Sequence, residues 1–189
     1  MKKRKSMWVI RSGRVVVQCI LMGMLVGPVL AQPQTGPTVP SFGPVLTPPP
    51  GSFNLDPGTH YKVSIDVGET AEFPGDQSRK LTSVARFLNM HAQQGIPPEN
   101  IEFAVIVHGM AANDLLTDKA YRARFSSPNP NTALLDELHE AGVTVYLCSQ
   151  TAAFRQMDPS EFREDVVMAV SAMTTHVELQ QQGYTLIPF

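Results

Sequence analysis

The chain has 189 residues and a formal net charge of −2. Six of its 15 Lys and Arg residues lie within the first 14 positions, so the remainder carries nine basic and 17 acidic residues, a formal charge of −8. A chain this acidic is a poor ligand for nucleic acids and anionic lipids, because binding to either requires basic patches.

The first 31 residues have the pattern of a secretory signal peptide. Basic residues are followed by an apolar run, residues 15–31, which ends in Val-Leu-Ala and is interrupted by Gln18, Gly23, Gly27 and Pro28. A membrane-spanning helix instead needs about 20 predominantly apolar residues. We therefore expect cleavage after Ala31 and a periplasmic or secreted protein without a stable membrane anchor. The alternative is an uncleaved signal that anchors the chain in the inner membrane.

Residues 32–58 are rich in proline and glycine and show no apolar period. This composition is typical of a disordered linker that its prolines keep extended. Both a simple spacer and a proline-rich ligand for a partner protein fit this pattern. The remaining residues, 59–189, are numerous enough for one domain with its own hydrophobic core.

Strands and helices alternate along this domain. Residues 61–67 alternate apolar and polar side chains, which predicts a strand, and residues 101–108 form a nearly continuous apolar run, which predicts a strand buried on both faces. Apolar residues at helical spacing lie between these strands, and residues 143–148 form a third strand after a second helix. Alternation of this kind predicts a doubly wound α/β sheet.

The segment after Pro159 fits two interpretations. Its apolar residues match one long helix, but residues 166–170 also match a short buried strand, with Ser171 capping a separate helix through Gln182. Periodicity alone does not choose between them. Residues 184–187 predict a last strand.

Candidate site residues follow the second and third strands, because parallel sheets bind ligands at the carboxyl ends of their strands. They are His108, Gly109, Cys148, Ser149, Gln150 and Thr151. Loss of the signal peptide removes Cys19 and leaves Cys148 as the single cysteine. A thiol at a helix N-terminus, with an imidazole nearby, favours the reactive thiolate. The alternative is that Cys148 simply completes a buried strand, and that His108 hydrogen-bonds a loop carbonyl.

Other site chemistries lack support in the sequence. The remaining histidines show no paired ligand spacing and no second cysteine survives export, so we expect no metal site. Neither a P-loop nor a GxSxG motif is present, which argues against nucleotide use and serine hydrolysis. We expect no cofactor.

Three strings in this order resemble the DsrE/DsrF-like family, in particular its small, stand-alone YchN-like members: IVHG at 106–109, GVTVYLCSQT at 142–151 and VELQQQGY at 177–184. The resemblance covers the whole domain. It implies a five-stranded, mostly parallel α/β sheet with helices on both faces, in a three-layer, flavodoxin-like arrangement. It favours a strand at residues 166–170. It also implies assembly into a homo-oligomer, a trimer or hexamer.

Members of this family that act in sulfur oxidation and transfer-RNA thiolation carry a persulfide on a cysteine, and Cys148 lies at the matching place. The first hypothesis is therefore a periplasmic sulfur or persulfide carrier that exchanges sulfur with donor and acceptor proteins through Cys148, with His108 favouring the thiolate. The second is a non-catalytic oligomeric binding or scaffold module in which Cys148 is structural. Export and the proline-rich arm distinguish this chain from the known relays, which work in the cytosol.

Overall fold

The computed structural model describes residues 32–188, so the proposed signal peptide lies outside the described residues. Five strands form one sheet in the order β4-β3-β2-β1-β5, and every pair of neighbours is parallel. The strands are β1 (Tyr61–Val67), β2 (Ile101–Val107), β3 (Thr144–Cys148), β4 (Val166–Ala169) and β5 (Thr185–Ile187). The prediction of a five-stranded α/β sheet is confirmed, and the sheet is entirely parallel.

Five α-helices connect these strands: α1 (Arg79–Gln93), α2 (Asp118–Phe125), α3 (Thr132–Glu140), α4 (Ser149–Phe154) and α5 (Ala172–Gln181). Short 3-10 helices cover Pro98–Asn100, Gly109–Leu115 and Pro159–Glu161. Within residues 32–188, no helix combines the length and apolarity needed to cross a membrane.

The two faces of the sheet bury different amounts of apolar surface. The main core joins alternate residues of the central strands, such as Val105 and Leu147, to the apolar sides of α1 and α3. A smaller cluster on the other face joins Ala104, Ile106 and Cys148 to α5. Because successive strand residues point to opposite faces, Cys148 lies under α5, away from the main core.

The direction in which the strands are added explains this arrangement. Strands β1 to β4 are added one after another in the same direction, and β5 then returns to the far side of β1. Helix α5 connects β4 to β5 and contacts β2, β3 and β5 on the way. Crossovers between parallel strands are right-handed, so a connection in the reverse direction covers the opposite face. This crossing places the first turns of α5 at the carboxyl ends of the central strands, where Ala172 lies near Cys148 and His176 contacts Asp66.

The segment after Pro159 contains a strand and a separate helix. β4 pairs with β3 in a register that sets Cys148 opposite Ala169. The hydroxyl of Ser171 caps α5 by accepting the backbone N–H of Thr174 at 3.0 Å. The strand interpretation favoured by the family resemblance is therefore confirmed.

The proline-rich arm differs from the expectation of a disordered linker. Val39 is fully buried and Val45 is nearly so, and the backbone of Gln34 pairs with that of Val45 in an antiparallel bridge. The side chain of Asn89, on α1, binds four backbone groups of residues 39–43. A buried amide thus supplies the partners that an irregular backbone otherwise lacks, and the first half of the arm packs on the domain.

Candidate functional site

Cys148 ends β3 and stands at the N-cap of α4, with 6% of its surface exposed. Burial by itself raises the pKa of the thiol. Hydrogen bonds from the Thr151 hydroxyl and from the backbone N–H groups of Ala172, Thr151 and Gln150 outweigh that effect and bring the pKa below its ordinary value. The surroundings of the sulfur therefore favour the thiolate, as the sequence predicts for a thiol at a helix N-terminus.

Two helices provide these backbone donors. Gln150 and Thr151 belong to the first turn of α4, and Ala172 is the first residue of α5. First-turn N–H groups have no partner inside their helix and carry partial positive charge. They converge because Cys148 lies opposite Ala169 of β4, three residues before α5 begins. The sequence predicted the α4 contribution; that of α5 depends on the pairing of β3 with β4.

Thr151 links the thiol to the loop after β2. The backbone N–H of Gly109 donates to Oγ1 of Thr151 at 3.1 Å, and the same hydroxyl lowers the pKa of the Cys148 thiol. The structure thus brings together the predicted residues Gly109, Gln150, Thr151 and Cys148, while Ser149 is the first residue of α4.

A surface cavity of about 350 Å³ adjoins this group of residues. Its walls are Gly109, Met110, Gln150, Thr151, Phe154 and Arg155. Gln150 and Thr151 belong both to the cavity wall and to the surroundings of the sulfur. A small molecule in this cavity therefore lies next to the residues that hold the thiol.

His108 binds a carboxylate that the sequence analysis did not select. Its Nε2 lies 3.1 Å from the carboxylate of Asp66, at the end of β1. The same carboxylate is 2.8 Å from Nε2 of His176, on α5. Partial burial raises the pKa of Asp66, but the hydrogen bonds from His176 and His108 outweigh it and lower the pKa below its ordinary value. We call Asp66, His108 and His176 the His–Asp–His cluster.

The cluster and Cys148 lie on the same face of the sheet. Val107 of β2 pairs with Leu147 of β3, so the next position in that register sets His108 beside Cys148. Neighbouring strands are about 4.8 Å apart. On α5, Ala172 reaches the sulfur and His176, four residues later on the same side of the helix, reaches Asp66. Helix α5 therefore contacts both the Cys148 sulfur and the His–Asp–His cluster.

Gly68 makes room for the His108 ring. A Cβ atom at position 68 would lie 2.7 Å from Cε1 and 3.0 Å from Nε2 of His108. Both distances are too short for a side chain to be accommodated without movement of the ring. Gly109 adopts a φ of +56°, a left-handed conformation that glycine enters without steric cost. Glycine is therefore needed at position 68, next to the imidazole, and at position 109, directly after His108.

The cluster is not arranged as a metal site. Nε2 of each histidine faces an oxygen of Asp66, so the three side chains bind one another and do not point at a common centre. Across residues 32–188, no three His, Cys, Asp or Glu side chains are grouped to hold a metal ion.

Comparison with known proteins gives one family and several similar solved structures, among them the following two. MTH1491, a protein of unknown function from Methanobacterium thermoautotrophicum, is 24% identical over 68% of this chain and 99% of its own, with a TM-score of 0.53. The ychN protein from E. coli is 16% identical over the same shares of the two chains, with a TM-score of 0.48. No curated protein matches the sequence. At 24% identity the likeness to MTH1491 shows a shared fold.

The family assignment rests on the sequence itself. The model of the DsrE/DsrF-like family matches residues 68–189, which is more than half of the chain and includes every residue of the candidate site except Asp66. This agrees with the resemblance found in the three sequence strings. The chain belongs to the DsrE/DsrF-like family.

Proposed function

We propose that this protein is a sulfur carrier that holds sulfane sulfur as a persulfide on Cys148. The observation that carries the proposal is the position of the Cys148 sulfur, at the N-cap of α4 and opposite the residues that lead into α5, where N–H groups from the first turns of two helices converge. A structural cysteine in a buried strand needs no such donors, since a thiol is among the most weakly hydrogen-bonding polar groups in proteins.

The chemistry follows from the thiolate. The Cys148 thiolate attacks a sulfane sulfur of the donor, a new S–S bond forms, and the donor leaves with the electron pair of the bond that breaks. The product is a persulfide anion. The N–H groups of Gln150, Thr151 and Ala172 stabilise the thiolate. The same groups stabilise negative charge that remains on the Cys148 sulfur in the persulfide. The exchange is neutral in redox terms and needs no bound cofactor.

Intact-mass analysis tests the carrier function. The purified protein is incubated with polysulfide or thiosulfate, and Cys148→Ser serves as the control. A carrier gains one sulfur atom on Cys148, and the control gains none. If the wild type gains no sulfur from either donor, Cys148 is structural and the protein is better described as an oligomeric binding or scaffold module.

We propose further that a second copy of the chain covers an apolar face of the domain. This apolar face consists of Val167, Met168, Val170, Met173 and Val177, from β4 and α5. Val170, Met173 and Val177 are 72%, 79% and 52% exposed. Contiguous exposed apolar surface marks interaction sites in soluble proteins, and assembly of the family into trimers or hexamers favours a homo-oligomer.

The place of action follows from the N-terminal sequence. We propose export to the periplasm, supported by the basic start and the apolar run that ends at Ala31. Sequencing the N-terminus of exported material tests this. A mature protein that begins at or near Gln32 agrees with it, and an intact Met1 in the membrane fraction contradicts it.

A further inference from the structure

The His–Asp–His cluster contains two imidazoles and one carboxylate, and the carrier function described above assigns no role to Asp66 or His176. The three side chains come from β1, from the residue after β2 and from α5. Lys80 of α1 donates its Nζ to the backbone carbonyl of Asp66 at 2.8 Å, and Cys148 of β3 lies across β2 from Asp66. The cluster is therefore an ordered arrangement at the carboxyl ends of the central strands.

The two histidines differ in their surroundings. Nδ1 of His176 is buried and has no hydrogen-bond partner among the described residues. Nε2 of His176 lies 2.8 Å from the Asp66 carboxylate, which only accepts hydrogen bonds, so Nε2 carries the hydrogen and donates it. The His108 side chain is 36% exposed, so an incoming thiol can reach its ring.

We propose that His108 accepts the proton of the incoming acceptor thiol when Cys148 gives up its sulfur, and that Asp66 and His176 are the positioning residues for His108. This inference rests on the carrier function. The strand order supports it, because β2 lies between β1 and β3, so His108, which follows β2, stands between Asp66, which it binds, and Cys148. Helix α5 also contacts both sides, through Ala172 near the sulfur and His176 at Asp66. An acceptor thiol that reaches the carrier sulfur therefore arrives one strand away from His108.

The step balances as follows. The acceptor thiol loses its proton to His108 and becomes a thiolate. This thiolate attacks the outer sulfur of the Cys148 persulfide and forms a new S–S bond. The bond between Sγ of Cys148 and the outer sulfur breaks, and Cys148 departs with the electron pair as a thiolate, which its N–H donors stabilise. The proton on His108 then leaves to water or to the product persulfide.

Two sulfur acceptors distinguish this role from a structural one, because only one of them must lose a proton before it attacks. Glutathione must lose a proton before it attacks, since an ordinary thiol has a pKa of about 8.5. Sulfite attacks as an anion and needs no base. Cys148 is loaded with sulfur from polysulfide, and the rate of transfer to each acceptor is measured from pH 6 to about 9.

We expect His108→Gln and Asp66→Asn to slow transfer to glutathione about 10-fold or more near neutral pH, with transfer to sulfite changed less than about 2-fold. The defect should shrink as pH rises, because the thiol then ionises without help. His176→Leu removes the donor to Asp66 and should show the same defect. His176→Gln restores an N–H donor and should recover most of the rate.

Each other result overturns the inference. Equal slowing with both acceptors indicates a structural role, and no slowing with either indicates no role. If the wild type never gains sulfur, the carrier function fails first, and the proton role is measured on the mixed disulfide of Cys148 with thionitrobenzoate. Its cleavage by glutathione needs the same deprotonation. An unchanged cleavage rate in His108→Gln then rejects the proton role independently.

Discussion

The side chain of Asn89 binds both polar groups of the Val39 backbone. Oδ1 accepts the N–H at 2.9 Å, and Nδ2 donates to the carbonyl at 3.0 Å. Nδ2 also donates to the carbonyls of Phe42 and Gly43. Buried backbone groups require partners, so this amide on α1 helps to hold residues 39–43 against the domain, together with Glu137 of α3, which accepts the N–H of Ser41 at 2.9 Å.

Replacing Asn89 should release the arm. Asn89→Ala leaves four backbone groups without their partner and should lower the free energy of unfolding by about 1–3 kcal/mol. It should also speed proteolytic cleavage within residues 32–45. Urea denaturation and limited proteolysis measure the two effects. The exposed Asn54 provides the control, since Asn54→Ala should change neither. Cleavage of Asn89→Ala at the wild-type rate would show that other contacts hold the arm.

The arm marks the limit of composition as a guide to structure. Hydrophobic patterns predicted β1, β2, β3 and β5 and the helices α1 and α3, because burial imposes a pattern on the sequence; only the family resemblance favoured β4. Residues 39–43 have no such period, and polar side chains distant in sequence hold them: Asn89, 46–50 residues away, and Glu137, which accepts the N–H of Ser41 from 96 residues away. Contacts of this kind are visible only after α1 is placed.

The candidate site, too, was only partly predictable from the sequence. Cys148, Gln150, Thr151 and Gly109 were predictable because they follow adjacent parallel strands. Asp66 and His176 were not, since 110 residues separate them and their contact depends on the path of α5 across the sheet. One signal was present in the sequence: Asp66 is a charged residue near the carboxyl end of a predicted strand, where such sheets place their sites.

Thr151 should control the acidity of the thiol. Thr151→Val removes the hydroxyl that hydrogen-bonds the Cys148 sulfur, so the pKa of the thiol should rise. Thr151→Ser keeps the hydroxyl and should leave the pKa near that of the wild type. The rate of iodoacetamide alkylation against pH measures the midpoint. His108→Ala in the same assay tests whether the imidazole also favours the thiolate.

Two results would count against this account of the thiol. An unchanged midpoint in Thr151→Val would mean that the backbone donors alone set the acidity. If Cys148 resists alkylation until the protein unfolds, the thiol is structural and the carrier function should be abandoned.

Gly68→Ala should displace His108. The new Cβ would lie 2.7 Å from the ring, so the imidazole must shift and the contact with Asp66 should weaken. We expect the same glutathione-specific defect as in His108→Gln, and altered imidazole resonances in NMR spectra. Gly75→Ala, in the same loop but with no atom within 4 Å of the added Cβ, is the matched control. Normal transfer to glutathione in Gly68→Ala would show that the ring has room to move without loss of function.

The apolar face should hold copies of the chain together. Met173→Asp introduces a charge where 79% of the side chain is exposed in the single chain, so the fold should tolerate it while a buried interface should not. Light scattering should show an oligomer for the wild type and a smaller species for the variant. Phe154→Asp changes an apolar residue outside this face that is even more exposed, at 89%, and is the control. A monomeric wild type at micromolar concentration would reject the interface.

Asp114 should make the protein less stable as pH rises. It is 2% exposed and its Oδ2 has no hydrogen-bond partner among the described residues. Burial raises its pKa to about 6, although a hydrogen bond from Thr70 works in the other direction. Below pH ~4 the carboxyl is protonated in both folded and unfolded chains, so it has no effect on stability. Between pH ~4 and ~6 the unfolded chain releases its proton first, which favours unfolding.

The expected loss of stability follows from the size of the pKa shift of Asp114. A difference of about two pKa units corresponds to about 3 kcal/mol, which is fully present above pH ~6. Urea denaturation from pH 4 to 8 should therefore show that Asp114→Asn gains about that much stability relative to the wild type over this range, whatever its stability at pH 4. Asp56→Asn, at an exposed carboxylate, should show no such relative gain. If the stability difference between Asp114→Asn and the wild type is independent of pH, Asp114 ionises as readily in the folded chain as in the unfolded one.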